Sequence, residues 1–347
     1  MLVPPDVPSA SRAATFWRRL LLAGLVTLLA ALLLGALGDL RDYGRELAGT
    51  DYLKLWPVLL LAPCWQVLRA YRIGALLSPR PRLLDLRLYR ISALHMLLAS
   101  TLPLRSGEAA LPVLLKAELG VGLARSTGTL LAIRLYDLLT LLVIASTVLL
   151  SLRETSAIAA DFFLPSLAAL IAAGTLLFAA PFLAQRCDRW LHPREDGRRW
   201  IAILRRLLEG LVVLRPLPAL ARVIAASFLI WAAVFASFVL SLEAVAPGSD
   251  FRIAVVSGAA SSLAVAQPVN GVAGLGVVQV AWAAPARALG LSWDAAVASG
   301  IVHHLVQILA AVFNSLIALG LYLLAGHAAA RSASPPLPQS GRNDPEA

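Results

Sequence analysis

Arg134 and Asp137 stand three residues apart in an otherwise apolar run, Thr127 to Leu150, and therefore share one face of a helix. Charges are costly inside a bilayer and are kept there where they pair or line a path for a polar group. Arg105 and Glu108 are a second such pair, in Pro103-Leu104-Arg105-Ser106-Gly107-Glu108. Proline and glycine break a helix there and free backbone N–H groups, which with a guanidinium would receive an anion such as a phosphate. Glu108 either orients Arg105, meets a cationic headgroup, or only caps the half-helix. Arg134 and Asp137 either neutralise each other or offer Arg134 to a headgroup. Arg69 and Arg72 read as snorkelling residues at the membrane interface.

The plan occurs twice. Ile91–Leu139 and Val255–Leu309 each have a short apolar run, a break, a second short run and a long helix carrying polar groups. Aligning Pro103 with Pro268 and Gly120 with Gly290 puts His304 on Arg134 and Gln307 on Asp137. Pro103, Gly107, Pro268, Gly271, Gly274 and Gly276 are the hinge candidates. Asn270 and Gln279 either satisfy broken backbone or reach a headgroup. His304 either packs through a hydrogen bond or titrates. His303 and His304 point about 100° apart on a helix, so they do not chelate one ion, and neither metal nor cofactor is expected. His95, Cys64 and Trp65 read as packing; Trp17, Trp56, Trp190, Trp200 and Trp293 read as interface anchors.

These residues need a membrane scaffold. The chain is 59% hydrophobic and 14% charged, with mean hydropathy +0.78, against about 25% charged residues in a soluble domain. An all-α polytopic membrane protein follows, with about six full spans of the roughly 20 residues a bilayer needs. They fall near 20–36, 53–70, 127–150, 162–183, 221–242 and 295–324. Two broken or re-entrant hairpins occupy 88–119 and 253–289. Residues 88–102 rise only about 22 Å, short of a hydrocarbon core of roughly 30 Å, so half-depth hairpins are favoured. In 196–213, Trp200, Ile201, Leu204, Leu207, Leu208 and Leu211 face away from the arginines. That stretch is expected along the membrane surface, against anionic headgroups. Residues 1–19 form a cytoplasmic segment, 20–331 one integral domain and 332–347 a disordered tail.

Arginine-rich segments at 72–90 and 186–215 place those loops and both termini inside. The first break is then entered from the cytoplasm and the second from outside, which makes the repeats inverted. The net charge of +10 is an orientation signal and not a nucleic-acid footprint. Cys64 and Cys187 give neither a disulfide scaffold nor a ligand cluster. A paired acidic motif, a glycine-rich phosphate loop and a nucleophile–base arrangement are all missing, so an enzyme is not expected.

Pro103-Leu104-Arg105-Ser106-Gly107-Glu108, Arg134-Leu135-Tyr136-Asp137, Pro268…Gly274-Leu275-Gly276 and Gly290-Leu291 resemble motifs of the lysylphosphatidylglycerol synthase transmembrane-region family. The resemblance covers most of the chain. It implies a flippase-like domain with a lipid-accessible cavity, moving or presenting a phospholipid or related amphiphile across a bacterial inner membrane. Aminoacyl transfer is not carried over, because the chain stops soon after its last span. Membrane lipids are the expected partners, with a lipid-modifying enzyme as a further candidate; nothing fixes an oligomeric state. The alternatives are an integral-membrane lipid-modifying transferase and an accessory scaffold for a lipid-biosynthesis enzyme. The chain departs from the family pattern at Leu111 and Pro112, where an arginine is usual, with Lys116 the next cation. It has Asn270-Gly271-Val272-Ala273-Gly274 for adjacent Pro-Gly-Gly, Gln279 for a glutamate and His304 for an arginine. The second repeat has lost charge.

Overall fold

A residue before proline is driven out of the α region, and both breaks in this molecule follow that rule. The computed structural model describes residues 10–154, 161–192, 199–214, 216–267 and 272–332, without the side chains of 10–20, 23, 37, 103–105, 199, 272 and 325–332. Leu102 and Gln267, which precede Pro103 and Pro268, are extended (ψ 138° and 149°) and end their helices.

Twelve α-helices and no strand occur among the described residues. They are α1 (Ala10–Leu37), α2 (Leu40–Ala48), α3 (Val58–Leu77), α4 (Leu86–Thr101), α5 (Ala110–Leu119), α6 (Leu123–Ser151), α7 (Phe163–Leu191), α8 (Arg199–Val212), α9 (Leu217–Val245), α10 (Phe251–Ala266), α11 (Val277–Ala288) and α12 (Trp293–Ser332). Short 3₁₀ segments fill the breaks, seven residues at Pro103–Ala109 and three at Val272–Gly274. Helices α6, α7, α9 and residues 293–324 of α12 are long and apolar enough to cross a bilayer. Residues 24–36 of α1 and α2 form a pair bent by 88°. Helix α3 runs to Leu77, so Arg69 and Arg72 lie within it and not beyond its end. Pro57 is its N-cap; only Pro63 is interior.

The order of elements repeats. Each half has a long helix, a short amphipathic one (α2, α8), another long helix, two half-length helices around a break, and a last long helix. Asp85 and Asp250 cap α4 and α10 through the N–H groups of Arg87 and Arg252. At Asp250 the hydrogen bond from the Arg252 side chain holds the carboxyl below the usual carboxylate range. Gly120 and Gly290 both have positive φ (67° and 104°) where the half-helix turns into α6 or α12. Each short helix lies on the last long helix of the other half, α8 on α6 and α2 on α12.

Helix α8, expected on the membrane surface, is held to the body by its small residues. A Cβ added to Gly128 of α6 would stand 2.4 Å from the Leu207 carbonyl oxygen, and one on Gly210 would stand 2.6 Å from that of Gly128. Ile201 is buried there, and Arg205 donates to Asp188 at 2.8 Å. Gly128→Leu has no room to relax, because the obstruction is backbone. It should lower stability by at least about 1–3 kcal/mol, read as a fall in the thermal unfolding midpoint in detergent. A midpoint unchanged from the parent would show that this crossing is not tight. Trp56, Trp190 and Trp200 are exposed, whereas Trp293 donates its indole N–H to Tyr43 Oη at 2.8 Å.

Candidate functional site

The two breaks touch each other, and α1 crosses both. Beside them the two halves enclose a cavity of about 540 Å³. Arg69, Glu108, Arg134 and Asp137 line it from the first half, and Trp231, His303, His304 and Gln307 line it from the second. Leu102, Leu131 and Leu138 also line it yet are 41%, 51% and 41% exposed, which gives the cavity an apolar rim on the outer surface.

The charged wall is a connected network. Arg134 donates to both carboxylate oxygens of Glu108 (Nη2 to Oε1 2.6 Å and to Oε2 2.7 Å; Nε to Oε2 3.1 Å). Its Nη1 donates to Asp137 Oδ2 at 3.3 Å. Arg72, 2% exposed on α3, donates to Asp137 Oδ1 at 2.7 Å and to Ser227 Oγ at 2.9 Å. His95 Nε2 lies 3.4 Å from Glu108 Oε2. Bidentate guanidinium–carboxylate pairs fix both distance and plane, so α3, α4, the first break, α6 and α9 are tied together. Arg69, one helical turn before Arg72, makes neither a hydrogen bond nor an ion pair among the described residues.

The second half repeats these contacts in neutral form. Arg72 stands thirteen residues before the cap Asp85, and Ser237 thirteen before the cap Asp250. The Arg72–Asp137 contact becomes Gln307 Nε2 donating to Ser237 Oγ at 3.0 Å. The Glu108–Arg134 contact becomes Gln279 Nε2 donating to His304 Nδ1 at 3.0 Å. Gln279 Oε1 in turn accepts the N–H of Gly276 at 2.7 Å. That glycine has φ +83°, and a Cβ on it would meet Ala30 of α1 at 2.3 Å. His303 stacks on Trp282, with ring centroids 4.5 Å apart.

A family model described as "lysylphosphatidylglycerol synthase TM region" matches residues 20–315, the span that holds both halves and the cavity. The chain belongs to that family. Neither a curated protein nor a solved structure matches it. The lysylphosphatidylglycerol synthase TM region is thus, in this chain, a multi-pass all-helical membrane protein.

Within this family member, Glu108, Arg134, Asp137, His304 and Gln307 meet around one cavity. Gln279 reaches it only through His304. The side chains of Pro103 and Arg105 and all of Pro268, Asn270 and Gly271 lie outside the described residues, as do residues 193–198 and 333–347. Gly107 is buried against the Leu98 carbonyl, and Gly274 has φ +75°. Cys64 and Cys187 are exposed and Trp65 is buried. Four residues differ from their sequence reading: Arg69 lines the cavity, Arg72 is buried against Asp137, His95 faces Glu108, and Cys64, read as packing, is exposed. The available signal was the pair Arg69 and Arg72, three apart like Arg134 and Asp137 and opposite in charge to Asp137.

Proposed function

We propose that this protein is a lipid translocator of the bacterial inner membrane, with both termini cytoplasmic and no enzymatic step of its own. It moves or presents a phospholipid or related amphiphile. The observation that carries the reading is the cavity between the two halves, which combines a charged wall with an exposed apolar rim. A lipid has the matching form: a polar headgroup for Arg69 and its neighbours, and acyl chains that leave past Leu102, Leu131 and Leu138. The inverted order of the repeats lets one half rock against the other around a fixed site. Reconstitution into liposomes with a fluorescent phospholipid tests this. Protein-dependent exchange between leaflets is expected, and Leu131→Arg/Leu138→Arg should slow it at least about tenfold by placing charge where the acyl chains pass. Exchange no faster than in protein-free liposomes, across lipids of every headgroup charge, would refute the reading.

A further inference from the structure

Charge balance around the cavity identifies the headgroup. Three guanidiniums, Arg69, Arg72 and Arg134, share the site with two carboxylates, Glu108 and Asp137. His95 adds either nothing or a further positive charge. Arg105 is left out of the balance, since its side chain lies outside the described residues. Both carboxylates are already engaged, Glu108 by Arg134 and Asp137 by Arg72 and Arg134. Among the described side chains at least one positive charge remains uncompensated, and Arg69 is the guanidinium of this cluster with neither a hydrogen bond nor an ion pair. An unpaired charge within a membrane protein calls for a counter-ion.

The facing wall asks for an acceptor too. Trp231 and His303 line the same cavity, and the buried Trp231 Nε1 and His303 Nδ1 have no hydrogen-bond partner. An indole N–H can only donate. The second half supplies no carboxylate, because its counterparts are Ser237, Gln279, His304 and Gln307. A headgroup ammonium would therefore find no free acceptor of negative charge.

Resting on the translocator reading, we propose that this cavity is a receptor for a singly charged phosphate-ester anion, held by Arg69, on a lipid whose headgroup carries no ammonium. Aminoacylated and zwitterionic lipids are the wrong class for it, although the family takes its name from an enzyme that makes an aminoacylated one.

Binding is the test that separates this from transport. The full-length protein is purified, delipidated and titrated with phosphatidylglycerol, phosphatidylcholine, lysylated phosphatidylglycerol or inorganic phosphate, with the thermal unfolding midpoint as readout. Phosphatidylglycerol should raise the midpoint at concentrations about 10- to 100-fold below those of phosphatidylcholine or the lysylated lipid, the ratio expected for one charge-assisted contact. Arg69→Gln should erase that preference and Arg69→Lys should keep most of it. Because Arg69 bonds to no described residue, Arg69→Gln should leave the lipid-free midpoint unchanged or higher, which a structural role would not allow. Equal response to all three lipids, a preference that survives Arg69→Gln, or a lower lipid-free midpoint would overturn the proposal. Inorganic phosphate acting as well as the lipid would assign the site to a soluble anion and overturn it too. Arg69-dependent binding without leaflet exchange would instead refute only the translocator reading.

Discussion

Asp137→Asn should be the most destabilising single change in the first half, at about 3–5 kcal/mol. Asp137 is the carboxylate that compensates Arg72, which is 2% exposed and whose Nε already has no partner. Removing that charge leaves Arg72 with neutral acceptors only, Ser227 Oγ and the new amide oxygen, and weakens one contact of Arg134. The loss comes from a stranded cation more than from the missing bond, and that origin can be tested. Arg72→Met removes the charge while keeping most of the volume, so Asp137→Asn/Arg72→Met should recover the larger part of the lost stability. Thermal and chemical unfolding in detergent would read both variants. A single variant within about 1 kcal/mol of the parent, or a double variant no better than the single, would show that Arg72 is solvated in the folded protein.

Arg134→Gln should have the largest effect on function, slowing leaflet exchange of an anionic lipid about 10- to 100-fold. It removes from Glu108 the three contacts that its two oxygens now take from Arg134. Counting the described guanidiniums and carboxylates alone, it also takes the net charge of the site from plus one to zero. Glu108→Gln/Arg134→His installs the neutral pair that the second half already uses, Gln279 with His304. The net charge returns to plus one and Arg69 is untouched, so both stability and preference for anionic lipid should largely return. Changing Gln279 or His304 should matter less, since neither alters the balance. If the double variant folds yet remains as inactive as Arg134→Gln, then Arg134 itself meets the lipid.

Much of this arrangement was legible before any coordinates. Pro103 and Pro268 end α4 and α10 at their preceding residues, a local steric effect that sequence carries fully. Arg134 and Asp137 share a face because of helical pitch alone. The contacts that join separate helices were not legible. Arg72 meets Asp137 across 65 residues and Ser227 across 155, and nothing in local pattern specifies such partners. Placing the end of α3 near residue 70 also moved Arg69 and Arg72 to the interface, where arginine is unremarkable. The helix continues to Leu77, and within it Arg72 is buried and Arg69 half-buried. Helix α8 was legible in its amphipathic pattern but not in its contact, since Gly210 is what fits it to Gly128.

The neutral copies of the charged contacts give the molecule a stiff side and a yielding side. A neutral hydrogen bond contributes about 0.5–1.5 kcal/mol, whereas separating a buried charge from its partner costs about 3–5 kcal/mol. Gln279–His304 and Ser237–Gln307 can part and re-form at ordinary thermal energies far more readily than Glu108–Arg134 and Arg72–Asp137. Duplication thus leaves two halves alike in outline and unlike in how firmly each is fastened, so that in the proposed translocation the first would serve as the stator and the second as the part that turns against it.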